Sequence, residues 1–193
     1  MRVVPLCYDS PISIGAPSRP STRFSTERFK VIFVGNVTLM KGFQYLAQAA
    51  LLLDKGFEFR AIGAIGLAPD FLRKNNHWPV AMQGRLNRTK LEREYARSQV
   101  LVFPTLSDGF GIVQLEAQAR GIPVIATPNC GDVVIDGVTG YIVPIRNPEA
   151  IANRLQRLRD DPELYQAMSA AAIQNARRFT LSEVSNALGQ TAQ

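Results

Sequence analysis

At 193 residues the chain is long enough for one full hydrophobic core and too short for several domains. Its 46% hydrophobic and 20% charged residues are ordinary for a globular protein, and no apolar run reaches the ~18 to 20 residues of a membrane span. One histidine, His77, excludes a histidine-built metal centre, and Cys7 and Cys130 lack metal or redox spacing, which points to free thiols in a reducing, cytoplasmic setting.

Met1-Arg-Val-Val-Pro5 lacks the apolar core of a signal peptide, and Val3–Leu6 reads as a short strand. Residues 10–29 read as an irregular surface loop, rich in Ser, Pro and Arg over Ser10–Glu27. Lys30–Val34 is a compact apolar strand stopped by Gly35. Gly42–Asp54 has the helical period, with Phe43, Leu46, Ala47, Ala50, Leu51 and Leu53 on a wide apolar face. Phe57–Ile62 is the next strand, Ala68–Asn75 a short helix capped near Pro69-Asp70, and Pro79–Met82 a brief strand before Gly84. Thr89–Ser98 is a basic amphipathic helix with Leu91 and Tyr95 inward.

Val100–Phe103 is a buried strand leading into Pro104–Pro123, PTLSDGFGIVQLEAQARGIP. That stretch reads as a glycine-rich turn opening a helix, with Ser107 or Asp108 as its cap. Strand Val124–Ala126 follows, then a loop at Thr127–Gly131, a turn at Asp136-Gly137 and a short strand in Thr139–Val143. Three helices close the chain. Their starts are marked by Asn147-Pro148-Glu149, Asp161-Pro162-Glu163 and the capping-box spacing Thr180-Leu-Ser-Glu183, the last opening a closing helix over residues 180–193.

Strands alternating with helices over short connections predict an α/β fold: a Rossmann-like doubly wound parallel sheet with helices on both faces. There is no internal repeat. Ligands of such a sheet sit at the carboxyl ends of its strands. Gly35, Gly63, Gly84, Pro104–Gly111 and Thr127–Gly131 all fall there, so one crevice collects them.

Two positions in that crevice carry chemistry. Glu116 shares a helical face with Ile112, Leu115 and Ala119; a carboxylate there either meets a ligand's hydroxyls or is partnered by a backbone amide or basic side chain inside the fold. Lys41, just before a helix start, opposes the helix dipole unless an anion lies between them. A bound phosphate relieves that conflict, and so does a stem swung into water. The net charge of +6 is concentrated at Arg73, Lys74, Arg85, Arg88, Lys90, Arg93 and Arg97. Such a patch suits an anionic ligand, nucleic acid or acidic headgroups. The plainer reading is a solvated helix face with Glu92 and Glu94 pairing locally. No basic and aromatic residues interleave, so nucleic acid is not an expected partner. No G-x-x-x-x-G-K-[ST] is present, and Gln114 stands where a G-x-G-x-x-G starting at Gly109 needs its third glycine. A nicotinamide enzyme therefore rests on fold alone.

FPTLSDGFGIVQLEAQARGIPVIAT resembles the signature segment of the family 4 retaining GT-B glycosyltransferases (group 1), two acidic residues seven apart in P-S-x-x-E-G-F-G-x-x-x-L-E-A-M-A-x-G-x-P-V-I. Asp108 and Glu116 hold the acidic positions. FVGNVTLMKG resembles the family's F-V-G-R-L-x-x-x-K-G, with Asn36 where arginine is usual. VIDGVTGYIVPIRNPEAIA, VVPLCYDS and FTLSEV are similar to flanking segments in the same order, so the likeness spans nearly the whole chain.

The resemblance implies that residues 1–193 form a single nucleotide-sugar-binding lobe, the C-terminal one of two, with the N-terminal acceptor lobe absent. It implies transfer of a sugar from a UDP-, GDP- or ADP-sugar to an acceptor glycan or lipid-linked acceptor, with retention, without metal and with no cofactor, cytoplasmic or peripheral to the inner face of a membrane. Lys41, Asp108 and Glu116 become the catalytic set: Lys41 on the diphosphate, Glu116 on the ribose hydroxyls, Asp108 on the sugar. Gly35, Asn36 and the amides of Gly109, Phe110, Gly111 and Ile112 join the substrate-binding set, and Arg85 and Leu86 border the base. Asn36 for arginine removes one diphosphate cation, and Asp108 is one methylene shorter than glutamate. A non-catalytic lobe, a sugar-nucleotide epimerase or a phosphorylase are the rival readings.

Overall fold

A computed structural model describes residues 28–179. The expected strand Val3–Leu6, most of the loop 10–29 and the closing helix 180–193 lie outside the described residues. Phe29, expected in the loop, is the first residue of a strand. The elements are β1 (Phe29–Val34), α1 (Phe43–Leu51), β2 (Phe57–Ile62), α2 (Pro69–Lys74), β3 (Val80–Met82), α3 (Arg88–Arg97), β4 (Val100–Phe103), α4 (Val113–Gln118), β5 (Val124–Ala126), β6 (Gly140–Ile142), α5 (Pro148–Asp160) and α6 (Pro162–Arg177).

The six strands form one parallel sheet in the order β3-β2-β1-β4-β5-β6, the Rossmann-like arrangement expected from the alternation. Successive side chains of a strand point to opposite faces, and both faces are apolar because both are covered. Phe29, Val31 and Phe33 of β1 join Phe57 and Phe59 of β2 and Val100 and Val102 of β4 against Phe43, Leu46, Leu155 and Met168. The alternate residues Ile32, Val34, Ile62 and Leu101 pack against Tyr95 and Ala117 on the other face. Edge-on aromatic contacts tie Phe29 to Phe57 at 5.7 Å and to Tyr165 at 6.1 Å between centroids. Among the described residues, no helix is long and apolar enough to cross a membrane.

Several boundaries differ from the sequence reading for local reasons. α1 ends at Leu51 rather than Asp54, because Leu52 N–H turns back to Ala49 O and Asp54 Oδ1 instead accepts from Gly56 N–H at 2.7 Å. Leu51 is therefore exposed, and Ala49 takes its place on the buried face. α2 begins after Ala68 with no side-chain cap. Asn87, Asn147 and Asp161 are true caps, accepting from Lys90, Ala150 and Leu164 N–H at 2.9, 2.8 and 3.0 Å. Neither Ser107 nor Asp108 caps α4, whose cap position is Ile112 without a side-chain bond. His77 is exposed beside Trp78, as its lone position suggested.

Candidate functional site

The strand order reverses between β1 and β4: the chain leaves β1 towards β2 and β3, then returns to β4 on β1's other side. At such a switch the loops after the two central strands diverge and leave a crevice at the carboxyl edge. The loop after β1, residues 35–42, and the loop after β4, residues 104–112, form its two walls. They are tied across: Leu106 N–H donates to Met40 O at 2.9 Å, and Thr105 Oγ1 donates to the same carbonyl at 3.3 Å. Gly42, at φ +71, lies so close to the other wall that a Cβ there would come within 1.8 Å of Pro104 O.

The loop after β5 is the third wall. Asp108 N–H donates to Asn129 O at 2.9 Å, Asn129 Nδ2 donates to Leu106 O at 2.8 Å, and Thr127 Oγ1 donates to Thr105 O at 2.5 Å. Gly63, after β2, closes on the first wall; its N–H donates to Gly84 O at 2.9 Å, while Gly35 N–H donates to Ile62 O at 2.9 Å. The glycine-marked strand ends thus collect in one crevice, as their positions predicted.

Lys41 and Asp108 meet there. Nζ donates to Oδ2 at 2.5 Å, with the two side chains 28% and 19% exposed. The lysine therefore neither swings into water nor waits unpaired, the two alternatives left open by its place before α1. Its counter-charge is supplied by the second site residue.

Glu116 is half-buried, one turn into α4, and its Oε2 accepts from the hydroxyl of the fully buried Tyr95 at 2.8 Å. The partner is neither of the two kinds foreseen, a backbone amide or a basic side chain. A phenol suits this place because its ring fills the core of α3's inner face while its hydroxyl reaches the polar rim. Arg120 stacks on the same ring at 4.5 Å and is held by Glu92 in a two-pronged pair, Nη2 to Oε1 at 2.7 Å and Nε to Oε2 at 3.0 Å. Glu92 thus pairs across to α4 and not within its own helix, correcting the local pairing expected of it. Glu94 does pair locally, with Arg97 at 3.6 Å, and also with Arg60 of β2 at 3.6 Å.

The glycine-rich turn presents several free donors. Among the described residues, the N–H groups of Gly109, Phe110, Gly111 and Ile112 have no intramolecular acceptor, whereas the next ones do, Gln114 to Gly111 O at 2.9 Å and Glu116 to Ile112 O at 3.1 Å. Gly111, at φ +73, turns the chain into α4 against Phe103. Beneath the turn lies Gln114, fully buried, whose Nε2 donates to Phe110 O at 3.0 Å and Gly131 O at 3.4 Å. Gln118 is likewise buried, bonded to Thr139 Oγ1 and, through Asn175, to α6. Sequence reasoning missed these amides; Gln at i and i+4 among apolar neighbours was the available signal, but their partners are remote in sequence.

The other expected site residues are placed less decisively. Gly35 and Asn36 line the first wall, Asn36 exposed. Leu86 is half-buried against Ile32, Val34 and Tyr95, on the loop after β3. Arg85 beside it is exposed and makes no hydrogen bond or ion pair with Lys41, Asp108 or Glu116. A separate hollow of about 520 Å³ lies at the opposite, amino ends of β2 and β3, lined by Phe57, Phe59, Trp78 and Val80 among others. The chemistry-bearing side chains converge at the carboxyl edge instead, so the candidate site is assigned there.

Residues 16–175 match the family model described as glycosyl transferases group 1. The chain is 33% identical over 181 residues to the D-inositol 3-phosphate glycosyltransferase of Arthrobacter sp. (strain FB24), covering 84% of this chain and 42% of that one. It thus spans less than half the length of the curated relatives it matches first. Among solved structures it resembles Anabaena Alr3699/HepE in complex with UDP, with a TM-score of 0.75 and 20% identity over 86% of this chain and 49% of that one. It also resembles the C-terminal domain of a group 1 family glycosyl transferase (LpcC) from Francisella tularensis, with a TM-score of 0.72 and 20% identity over 80% of this chain and 88% of that one.

Proposed function

The chain belongs to the group 1 glycosyltransferases, and from that premise we propose that it is the nucleotide-sugar-binding lobe of a retaining, metal-independent glycosyltransferase whose acceptor lobe lies outside this sequence. The observation that carries this reading is the convergence of Lys41, Asp108, Glu116 and the unpaired amides of Gly109–Ile112 on one crevice at the β1/β4 switch. The Anabaena protein of the same fold is described in complexes with UDP and with UDP-glucose, which supports a nucleoside diphosphate sugar as the ligand class.

In this reading the diphosphate lies along the free amides and takes Lys41 Nζ, the ribose hydroxyls donate to Glu116, and Leu86 with Arg85 borders the base. Gly35, without a side chain, and Asn36 leave room on the first wall. Cleaving the bond between sugar C1 and the phosphate oxygen leaves negative charge on the diphosphate and an oxocarbenium-like sugar. Lys41 and the amides stabilise the departing diphosphate, as preorganised donors do wherever charge develops. The acceptor oxygen then forms the new bond to C1 and gives up its proton. Asp108 accepts from hydroxyls of the sugar. With Asn36 in place of arginine, stabilisation of the leaving group rests chiefly on Lys41.

Calorimetry with UDP, GDP and ADP and their glucose conjugates tests the assignment. The expected result is weak binding of one base series, lost in Lys41→Ala and Glu116→Ala, and no transfer by this lobe alone. Binding by none of them, or unchanged binding in both variants, would sink it. Asn36 favours a second reading, a lobe that binds sugar nucleotides without catalysing; it predicts no transfer after an acceptor lobe is restored.

Arg85, Arg88, Lys90 and Arg93 are exposed and carry no ion pair among the described residues. That surface supports contact with an acidic membrane and a lipid-linked acceptor. Failure to sediment with phosphatidylserine vesicles at low salt would remove this part of the proposal.

A further inference from the structure

The Lys41–Asp108 contact has a consequence for the order of binding and release, one that rests on the site reading above. The pair is held in place. Asp108 is pinned by its N–H to Asn129 O, and the two loops carrying the pair are bonded through Leu106 N–H and Met40 O at 2.9 Å. Both side chains are mostly buried, so water screens their attraction only in part. Lys41 is also the one cation among the described residues that meets Asp108, since Asn36 is neutral and Arg85 does not reach. A diphosphate entering the crevice must therefore compete with Asp108 for the charge that is to hold it.

The outcome of that competition depends on what the diphosphate carries. When it is esterified to a sugar, the terminal phosphate has one charge fewer, and the sugar hydroxyls supply donors for the carboxylate that Lys41 has left. These are charge-assisted hydrogen bonds, among the stronger neutral-to-ion contacts available. When the diphosphate is free, Asp108 faces extra negative charge with no donor in return, and like charges so placed repel strongly.

We infer that Asp108 is a release latch: it yields Lys41 to a diphosphate that brings a sugar and reclaims Lys41 once the sugar is gone. The same carboxylate thereby favours donor over spent nucleotide, which limits product inhibition in a site with few cations. No covalent step is involved; Lys41 exchanges one anionic partner for another, with its proton retained.

The test compares binding of UDP with UDP-glucose, GDP with GDP-mannose and ADP with ADP-glucose by calorimetry, in the whole chain. Asp108→Asn is expected to bind the free diphosphate about tenfold tighter, because both the competitor and the repulsion are gone. Binding of the sugar nucleotide should change little, so the preference for donor collapses. Asp108→Ala should tighten diphosphate binding likewise, guarding against an accident of the asparagine, and Asp108→Glu should restore the preference. Diphosphate binding that is unchanged or weaker in both neutral variants, while the wild-type chain binds normally, would overturn the latch alone. A wild-type chain that binds no member of the panel would overturn the site reading and the latch with it.

Discussion

Tyr95 and Glu116 meet across the gap between α3 and α4, the phenol donating to Oε2 at 2.8 Å from a ring with no exposed surface. The carboxylate expected to receive a ligand is therefore already aimed by the fold. Tyr95→Phe keeps the ring's packing and removes only the donor. Hydrogen bonds to charged groups contribute roughly 1.5–3 kcal/mol, and Glu116 is half-buried, so a loss of about 1–2 kcal/mol in urea unfolding is expected. Affinity for the nucleoside diphosphate should fall several-fold, since a freed carboxylate must be re-ordered on binding. A stability loss without any change in affinity would assign Tyr95 to the fold alone.

Gly42 tests how closely the two walls of the crevice are set. A Cβ there would lie 1.8 Å from Pro104 O, on a backbone at φ +71. Gly84 has nearly the same backbone, φ +67, with nothing within 4 Å of its notional Cβ. The left-handed conformation alone costs a non-glycine residue roughly 1–2 kcal/mol. Gly84→Ala should therefore lose about 1–2 kcal/mol and Gly42→Ala distinctly more, about 3–5 kcal/mol, both read from denaturant midpoints. Equal losses would mean that the walls part easily.

The strands and the crevice were legible because their causes are local. Alternation of Phe29, Val31 and Phe33 against Ile32 and Val34 marks a strand covered on both faces, and a glycine stands at or just after the end of each of the first three strands. The start of α4 was not. Asp108 looks like a cap, but its backbone is drawn to Asn129 and its side chain to Lys41, 67 residues earlier, so the helix waits until Val113. Glu92 found Arg120 and Glu116 found Tyr95 in the same way. No pattern within ten residues of any of these carboxylates carries that information. The buried amides of Gln114 and Gln118 went unread because a glutamine on an apolar face looks like a boundary residue until its partners on other elements are known.

Acid should unfold the protein partly through Glu58. Burial alone would raise its pKa, but a hydrogen bond from Arg60 Nε at 2.6 Å, the Arg60 charge, and then Arg97 and Lys30 outweigh burial and hold it below its ordinary 4.5. A carboxyl with a depressed folded-state pKa lends stability above its unfolded value, and that stability is lost as pH falls through the folded one. Stability measured by urea should therefore decline below about pH 4.5. Glu58→Gln should be less stable at pH 7 and show a shallower decline, because Arg60 and Arg97 lose their shared carboxylate at every pH. A decline of unchanged slope would shift the acid sensitivity to other carboxylates.

Cys130 should be chemically quiet although it lines a functional loop. Burial raises its thiol pKa from 9.0 to about 11; the Gln114 amide, donating to Sγ at 3.5 Å, opposes the rise, and the negative charges of Asp108 and Asp132 add to it. Sγ itself donates to Thr127 O at 3.2 Å, which further occupies the proton. Since the thiolate is the reactive form, at pH 8 only about one molecule in a thousand carries it, against roughly a quarter for a free cysteine. In a Cys7→Ser background, where Cys130 is the one thiol in the sequence, iodoacetamide should label the native protein at least about a hundredfold more slowly than the urea-unfolded chain. The sign of the pH effect is also fixed. A raised folded-state pKa favours the native state below the unfolded value and loses that advantage as pH climbs towards 11. Cys130→Ser should remove that alkaline component while leaving stability near pH 7 within about 1 kcal/mol, the size of a single neutral hydrogen bond. Fast native labelling at pH 8 would show that the loop after β5 opens, and with it the third wall that holds Asp108 against Lys41.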